Sequence, residues 1–313
     1  MNRPRIFVAG HRGMVGSAIV RRLATEDAVV LAADRALLDL CDQAKVRAFM
    51  QDEKPDIIIL AAAKVGGILA NDSFPAEFLR DNLAIETNVI HEAHRAGVDR
   101  LVFLGSSCIY PKFAAQPIHE DALLSGELEP SNEWYALAKI VGVKLCQAYR
   151  RQYGRRYIAV MPCNLYGRND NFDLVTSHVL AALVRKFHEA KNEGRDEVSI
   201  WGSGKPLREF LHVDDLADAV IFLMSHYDGI EPINCGAGTE LSIRELAEKV
   251  GRTVGFEGRL VFDLTKPDGT PRKLLDSSRI TAMGWKPRIG LDEGIADTYH
   301  WFLENGIREL AAN

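Results

Sequence analysis

Five short apolar runs separated by stretches of helical period constrain this chain more than any other feature. Residues 5–9 (RIFVA), 28–32 (AVVLA), 57–60 (IIIL), 100–104 (RLVFL) and 157–161 (YIAVM) are almost continuously apolar. Strands of a parallel sheet covered on both faces read this way. Between them, residues 15–24, 43–52, 77–96 and 134–152 carry helical patterns. Strand and helix in alternation predict an α/β fold with a doubly wound parallel sheet. Ligands bind such sheets beyond the carboxyl ends of the strands.

From about residue 165 the pattern loosens. Helices are expected at 174–190, 213–225, 242–252 and 291–303, with short strands at 198–201 and 259–262. The expected division is a dinucleotide-binding domain over 1–164, to which 213–237 returns, and a smaller α/β substrate-binding domain over 165–212 and 238–313. No Pro- or Gly-rich linker separates them, so a tight interface is expected.

Composition narrows the function classes. With 313 residues, 47% of them hydrophobic, the chain builds a core without staples. The net charge is -5 and no long run of Lys and Arg occurs, so neither nucleic acid nor a membrane surface is an expected partner. The apolar stretch 57–63 is far too short to span a bilayer. Residues 5–9 run straight into glycines, so no secretory leader is expected. Cysteines 41, 108, 146, 163 and 235 lack CxxC spacing and read as reduced thiols of a cytoplasmic protein. No metal site is expected, because no His/Cys/Asp cluster has ligand spacing.

Gly10-His11-Arg12-Gly13-Met14-Val15-Gly16 follows the first strand and opens the first helix. Glycines there permit a tight turn, close approach of a pyrophosphate and close helix–sheet packing. The helix N-terminus turns free N–H groups and a positive dipole end toward the phosphates. In this context the pattern predicts a Rossmann-like dinucleotide site. Asp34 ends the second strand where a ribose-binding acid belongs, which favours NAD. Arg35 beside it and Arg12 in the loop suit the 2′-phosphate of NADP(H). The two signals conflict, and Asp34 as a mere turn cap stays open.

Tyr135-Ala-Leu-Ala-Lys139 opens a helical stretch, and a spacing of four puts both side chains on one face. A nearby ammonium favours the phenolate and is expected to lower the tyrosine pKa from its reference of about 10. Such a tyrosine donates a proton to a ketone oxygen as hydride arrives. A Tyr-x-x-x-Lys pair alone is common on solvated helix faces. Ser106 at the end of the fourth strand changes its meaning, because a strand-end serine can hold the same oxygen. This is the arrangement of the short-chain dehydrogenase/reductases.

Seven segments make the resemblance specific: GHRGMVGSAI (10–19), LAAAKVGGI (60–68), LGSSCIYPK (104–112), YALAK (135–139), VMPCNLYG (160–167), WGSGKPLREFLHVDD (201–215) and KPDGTPRKLLD (266–276). Over nearly its whole length the chain resembles the GDP-L-fucose synthase family of extended short-chain dehydrogenase/reductases. That family epimerises GDP-4-keto-6-deoxy-D-mannose at C3 and C5 and then reduces C4. The resemblance implies a GDP-sugar substrate, NADP(H) and a homodimer, with helices 77–96 and 134–152 pairing with those of a second subunit. It places the cofactor along Leu104, Gly105, Ser106 and Ser107, and along Pro162, Cys163, Asn164 and Leu165. Lys139 and His178 complete that contact.

A 4-keto group acidifies the protons at C3 and C5, so inversion needs an acid and a base on opposite faces and donors for the enolate oxygen. Ser106 and Tyr135 supply the donors. Cys108, two residues beyond Ser106, is within reach, and its reference pKa of about 8.5 suits proton exchange when tuned. A core cysteine is the plainer reading of such a residue. His178 comes in as the partner acid/base through the resemblance alone. Lys186, Trp201, Arg208 and Asp268 correspond to the family's substrate contacts. Lys186 stands where the family often has Arg, which keeps the charge but not the bidentate geometry. His212 is expected to orient the HVDD segment. Three other readings stay open: a related enzyme of another GDP-4-keto sugar such as a heptose, a UDP-sugar 4-epimerase, and a non-catalytic NAD(P)-binding regulator.

Overall fold

The computed structural model describes residues 3–308. All five predicted strands form, as β1 (Arg5–Ala9), β2 (Val29–Leu31), β3 (Ile57–Leu60), β4 (Arg100–Leu104) and β5 (Arg156–Pro162). Later strands are β6 (Asn164–Tyr166), β7 (Glu197–Trp201), β8 (Leu207–His212), β9 (Ile233–Cys235), β10 (Glu240–Ser242), β11 (Arg259–Asp263) and β12 (Arg272–Lys273). The α-helices are α1 (Met14–Leu23), α2 (Gln43–Glu53), α3 (Ile68–Ser73), α4 (Pro75–Arg95), α5 (Glu133–Tyr153), α6 (Val179–Asn192), α7 (Val213–His226), α8 (Ile243–Val254), α9 (Ser278–Ala282) and α10 (Leu291–Trp301).

The main sheet runs β2-β1-β3-β4-β5-β9, with every neighbouring pair parallel. The winding reverses between β1 and β3, so the crevice of the fold opens where the glycine loop leaves β1. β9 was not legible in the sequence: it is three residues long with a polar centre. Its buried Asn234 is satisfied all the same, accepting from Tyr110 Oη at 2.6 Å and donating to the Ile118 carbonyl at 2.9 Å. Beyond this sheet, β8 pairs with β6, β10 and β12, while β7 and β11 form a separate parallel pair.

Apolar residues gather in two cores. The larger fills both faces of the main sheet and takes in Leu275, Ile280 and Trp285 from the C-terminal part. The smaller joins Phe172, Val184, Phe187, Ile200, Phe210, Val250 and Phe302. Helix α7 lies against α1, tied by Arg21 to Asp214 at 2.6 Å and Arg22 to Asp218 at 2.8 Å.

The expected helix at 174–190 starts later. Asp173 Oδ1 accepts from the N–H groups of Val175 and Thr176 and from the Thr176 hydroxyl. These local bonds compete with helical ones and delay the helix until Val179, which leaves His178 as its cap. Among the described residues, no helix is long and apolar enough to cross a membrane. Nor do three or more His, Cys, Asp or Glu gather there as a possible metal site.

Candidate active site

The glycine loop is built for close approach. Gly10 has φ 87°, and a Cβ there would lie 2.7 Å from the Ala62 nitrogen. At Gly16 a Cβ would lie 2.0 Å from the Gly10 carbonyl oxygen, so loop and helix touch backbone to backbone. Gly13 caps α1 without any side chain, leaving the first N–H groups of the helix open to an anion. These residues fit the pyrophosphate of a dinucleotide.

The conflict at the second strand takes a concrete form. Asp34 is held by Arg12 at 2.6 Å and approached by His11 at 3.2 Å. The acid and one of the two cations form a pair rather than rival sites. Arg35 is exposed and has no ion-pair partner among the described residues.

β4 delivers the chain to Leu104 and Gly105, and a Cβ on Gly105 would strike Met161. Ser106 then caps the short turn Ser107–Ile109, its Oγ accepting from the Cys108 N–H at 3.2 Å. One turn thereby presents a hydroxyl and a thiol together. Tyr135 and Lys139 lie in the first turns of α5, as their spacing predicted.

The Tyr135 pKa lies above its ordinary value, opposite to expectation. Burial is the main cause, the charges of Cys108 and Glu86 add to it, and a hydrogen bond with Ser106 pulls the other way. Lys139 does not offset this, because its charge is engaged elsewhere. Lys139 is only 2% exposed, donates to the Leu104 carbonyl at 3.0 Å and stands 3.1 Å from Glu86. Its ammonium is 4.7 Å from the Phe103 ring centroid and 5.8 Å from that of Tyr135.

Cys108 Sγ accepts from Asn132 Nδ2 at 3.4 Å and from Lys273 Nζ at 3.6 Å. His178 opens onto the cleft. The protein around its ring depletes water and lowers its pKa, and Lys273 acts in the same direction. One cation therefore faces both candidate proton carriers. Lys273 pairs in register with Arg208 across β12 and β8. Arg208 donates to the Leu207 carbonyl at 2.8 Å. Burial lowers its pKa, opposed by Cys108, Glu129 and Asp268. Neither cation has an ion-pair partner among the described residues, an arrangement suited to a diphosphate.

Trp201 is 42% exposed and flanked by Lys186 Nζ at 5.4 Å and Lys266 Nζ at 5.3 Å from its ring centroid. Lys186 also donates to the Ser199 carbonyl at 3.1 Å, and burial lowers its pKa. Asp268 accepts from the Ser203 N–H at 2.7 Å and the Ser203 hydroxyl at 2.8 Å, so it braces the loop after Trp201. Asn164 donates to the Glu209 carbonyl at 2.8 Å. Pro162 ends β5, Cys163 is buried behind it, and Leu165 lies half-buried in β6. His212 accepts from the Asp214 N–H at 3.3 Å and caps α7, as expected.

Glu86, Asn132, Lys266 and Lys273 were missed. Only Glu86 left a local signal: with Asn82 it interrupts the apolar stripe of Phe78, Val89 and Ala93 on α4.

A glycine-walled dinucleotide crevice, with Ser106 beyond the end of β4 and Tyr135 and Lys139 on α5, defines a nicotinamide-dependent short-chain enzyme. The profile of the NAD dependent epimerase/dehydratase family matches residues 6–236. GDP-L-fucose synthase 1 of Arabidopsis thaliana is 61% identical over 96% of this chain and 94% of its own. A GDP-6-OMe-4-keto-L-xylo-heptose reductase from C. jejuni superposes with a TM-score of 0.92 at 37% identity, over 97% of this chain and 99% of the other. A GDP-L-fucose synthetase from Naegleria fowleri, bound to NADP, has a TM-score of 0.89 at 28% identity, covering 98% and 96%. The chain belongs to the NAD dependent epimerase/dehydratase family, in its GDP-L-fucose synthase branch.

Proposed function

We propose that this chain converts GDP-4-keto-6-deoxy-D-mannose to GDP-L-fucose, by epimerisation at C3 and C5 followed by reduction at C4. The observation that carries this reading is the turn at Ser106–Cys108, which sets a carbonyl-oxygen donor and a thiol side by side, opposite Tyr135. Cys108 and His178 move the protons at C3 and C5. Ser106 and Tyr135 hold the enolate oxygen, where donors aimed at developing charge act most strongly. A nicotinamide held by this crevice would supply hydride to C4. Tyr135 then gives its proton to the C4 oxygen, and Lys139 steadies the cofactor side of the site. Arg208, Lys186 and Trp201 receive the GDP moiety, with Asp268 bracing the loop. The test is incubation with GDP-4-keto-6-deoxy-D-mannose and NADPH, with the product identified by NMR. GDP-L-fucose is expected; turnover of a GDP-4-keto heptose alone would transfer the site to that substrate.

Residues 1–164 with 213–237 form the dinucleotide-binding domain, and 165–212 with 238–313 the substrate domain, although Leu275, Ile280 and Trp285 of the latter pack into the core of the main sheet. The protein is cytoplasmic and a homodimer through α4 and α5. Its cofactor is NADP(H), held at the pyrophosphate by residues 10–16 and at the 2′-phosphate by Arg35 and Arg12. Arg35→Ala is expected to weaken NADPH by about tenfold, the worth of one charge-assisted hydrogen bond, with little effect on NADH. Titration of both cofactors by fluorescence decides this; equal losses would remove Arg35 from the phosphate.

A further inference from the structure

Glu86 is 0% exposed and no step above uses it. It projects from α4 toward α5, where its Oε1 stands 3.1 Å from Lys139 Nζ. Among the described residues, only Lys139 and the Gly142 N–H face its carboxylate as donors, and neither oxygen has a well-formed hydrogen bond. Room for it is made at Gly142: a Cβ there would lie 2.8 Å from Glu86 Oε2 and 2.3 Å from the Phe103 ring. Helix α5 thus lacks a side chain at the very point where the carboxylate enters. A buried charge pair is by itself a poor source of stability. The charge of Glu86 also acts on Tyr135, and on the core thiol of Cys146.

We propose that Glu86 is a positioning residue of the reductive step: it pins the Lys139 ammonium against the end of β4 and counterbalances its charge at the Tyr135 phenol. This inference rests on the reductase reading above. Lys139 alone would draw the phenol toward phenolate and strip it of the proton it must donate. With Glu86 ionised the pair is close to neutral, and the phenol keeps its proton over a wider pH range. Burial raises the Glu86 pKa to about 7, against the pull of Lys139 and the Gly142 N–H. The counterweight is therefore present above that pH and withdrawn below it. The titratable groups that face Glu86 are Lys139, Tyr135 and Cys146, all on α5. Phe103 of β4 contributes only its ring.

The test is the pH profile of NADPH oxidation with GDP-4-keto-6-deoxy-D-mannose, for the unaltered enzyme, Glu86→Gln and Glu86→Asp. In Glu86→Gln the alkaline limb is expected to move down by about one pH unit, as for a phenol beside an uncompensated cation. In Glu86→Asp the limb should stay in place while kcat falls, because the charge is kept and its reach shortened. A folded Glu86→Gln whose profile superposes on that of the unaltered enzyme overturns the proposal. If Glu86→Gln does not fold, the unaltered enzyme decides: an inflection near 7 that persists in His178→Gln supports the role, and its absence ends it. Failure of the unaltered enzyme to oxidise NADPH with this substrate refutes the reductase reading and this inference with it. Normal turnover without the shift refutes Glu86 alone.

Discussion

Tyr135→Phe is expected to bind NADPH as the unaltered enzyme does and to reduce its substrate about 10²–10⁴-fold more slowly, the usual worth of a general acid. The substitution removes one oxygen and leaves the ring between Ser106 and Lys139. The glycine loop is untouched, so the cofactor site keeps its geometry. Burial favours the protonated phenol, so the lost group is the proton donor. Single-turnover NADPH oxidation measures the rate, and fluorescence titration checks the cofactor affinity. Near-normal turnover would remove Tyr135 from the chemistry and leave Ser106 as the only donor on that oxygen.

Cys108→Ser and His178→Gln should separate epimerisation from reduction. Serine keeps the size of the thiol but is a far weaker acid, so deprotonation at carbon slows. Glutamine keeps some hydrogen bonding at position 178 and removes the group that acts as acid or base at neutral pH. A loss of about 10²-fold or more in solvent deuterium exchange into C3 and C5, without reduced cofactor, is expected for each variant. The donors at Ser106 and Tyr135 remain, so addition of NADPH should yield some reduced sugar that was never fully inverted. If both variants exchange at wild-type rates and give only the fully inverted product, Cys108 and His178 are structural. Burial lowers the His178 pKa and the charge of Lys273 adds to it, which favours the neutral imidazole near neutral pH.

The local pattern of the chain determined a good deal. Five apolar strands, the helices between them and the glycine loop were legible because each depends on neighbours within a few residues: apolar periodicity, a tight turn, a helix start. Tyr135 and Lys139 were legible for the same reason, since four residues make one helical turn. Cys108, His178 and the GDP-sugar contacts needed the resemblance to a family, because no spacing rule singles them out. What the tertiary structure decided lies between distant segments. Lys273 meets Cys108 across 165 residues of sequence, and Arg12 pairs with the very acid that argued against it. The direction of the Tyr135 shift was beyond the sequence as well. A Tyr-x-x-x-Lys spacing fixes where the lysine stands, but the direction is set by burial of the phenol, with the charges of Cys108 and Glu86 adding to it. Charge acts through space with a strength set by burial, and burial is a property of the folded chain.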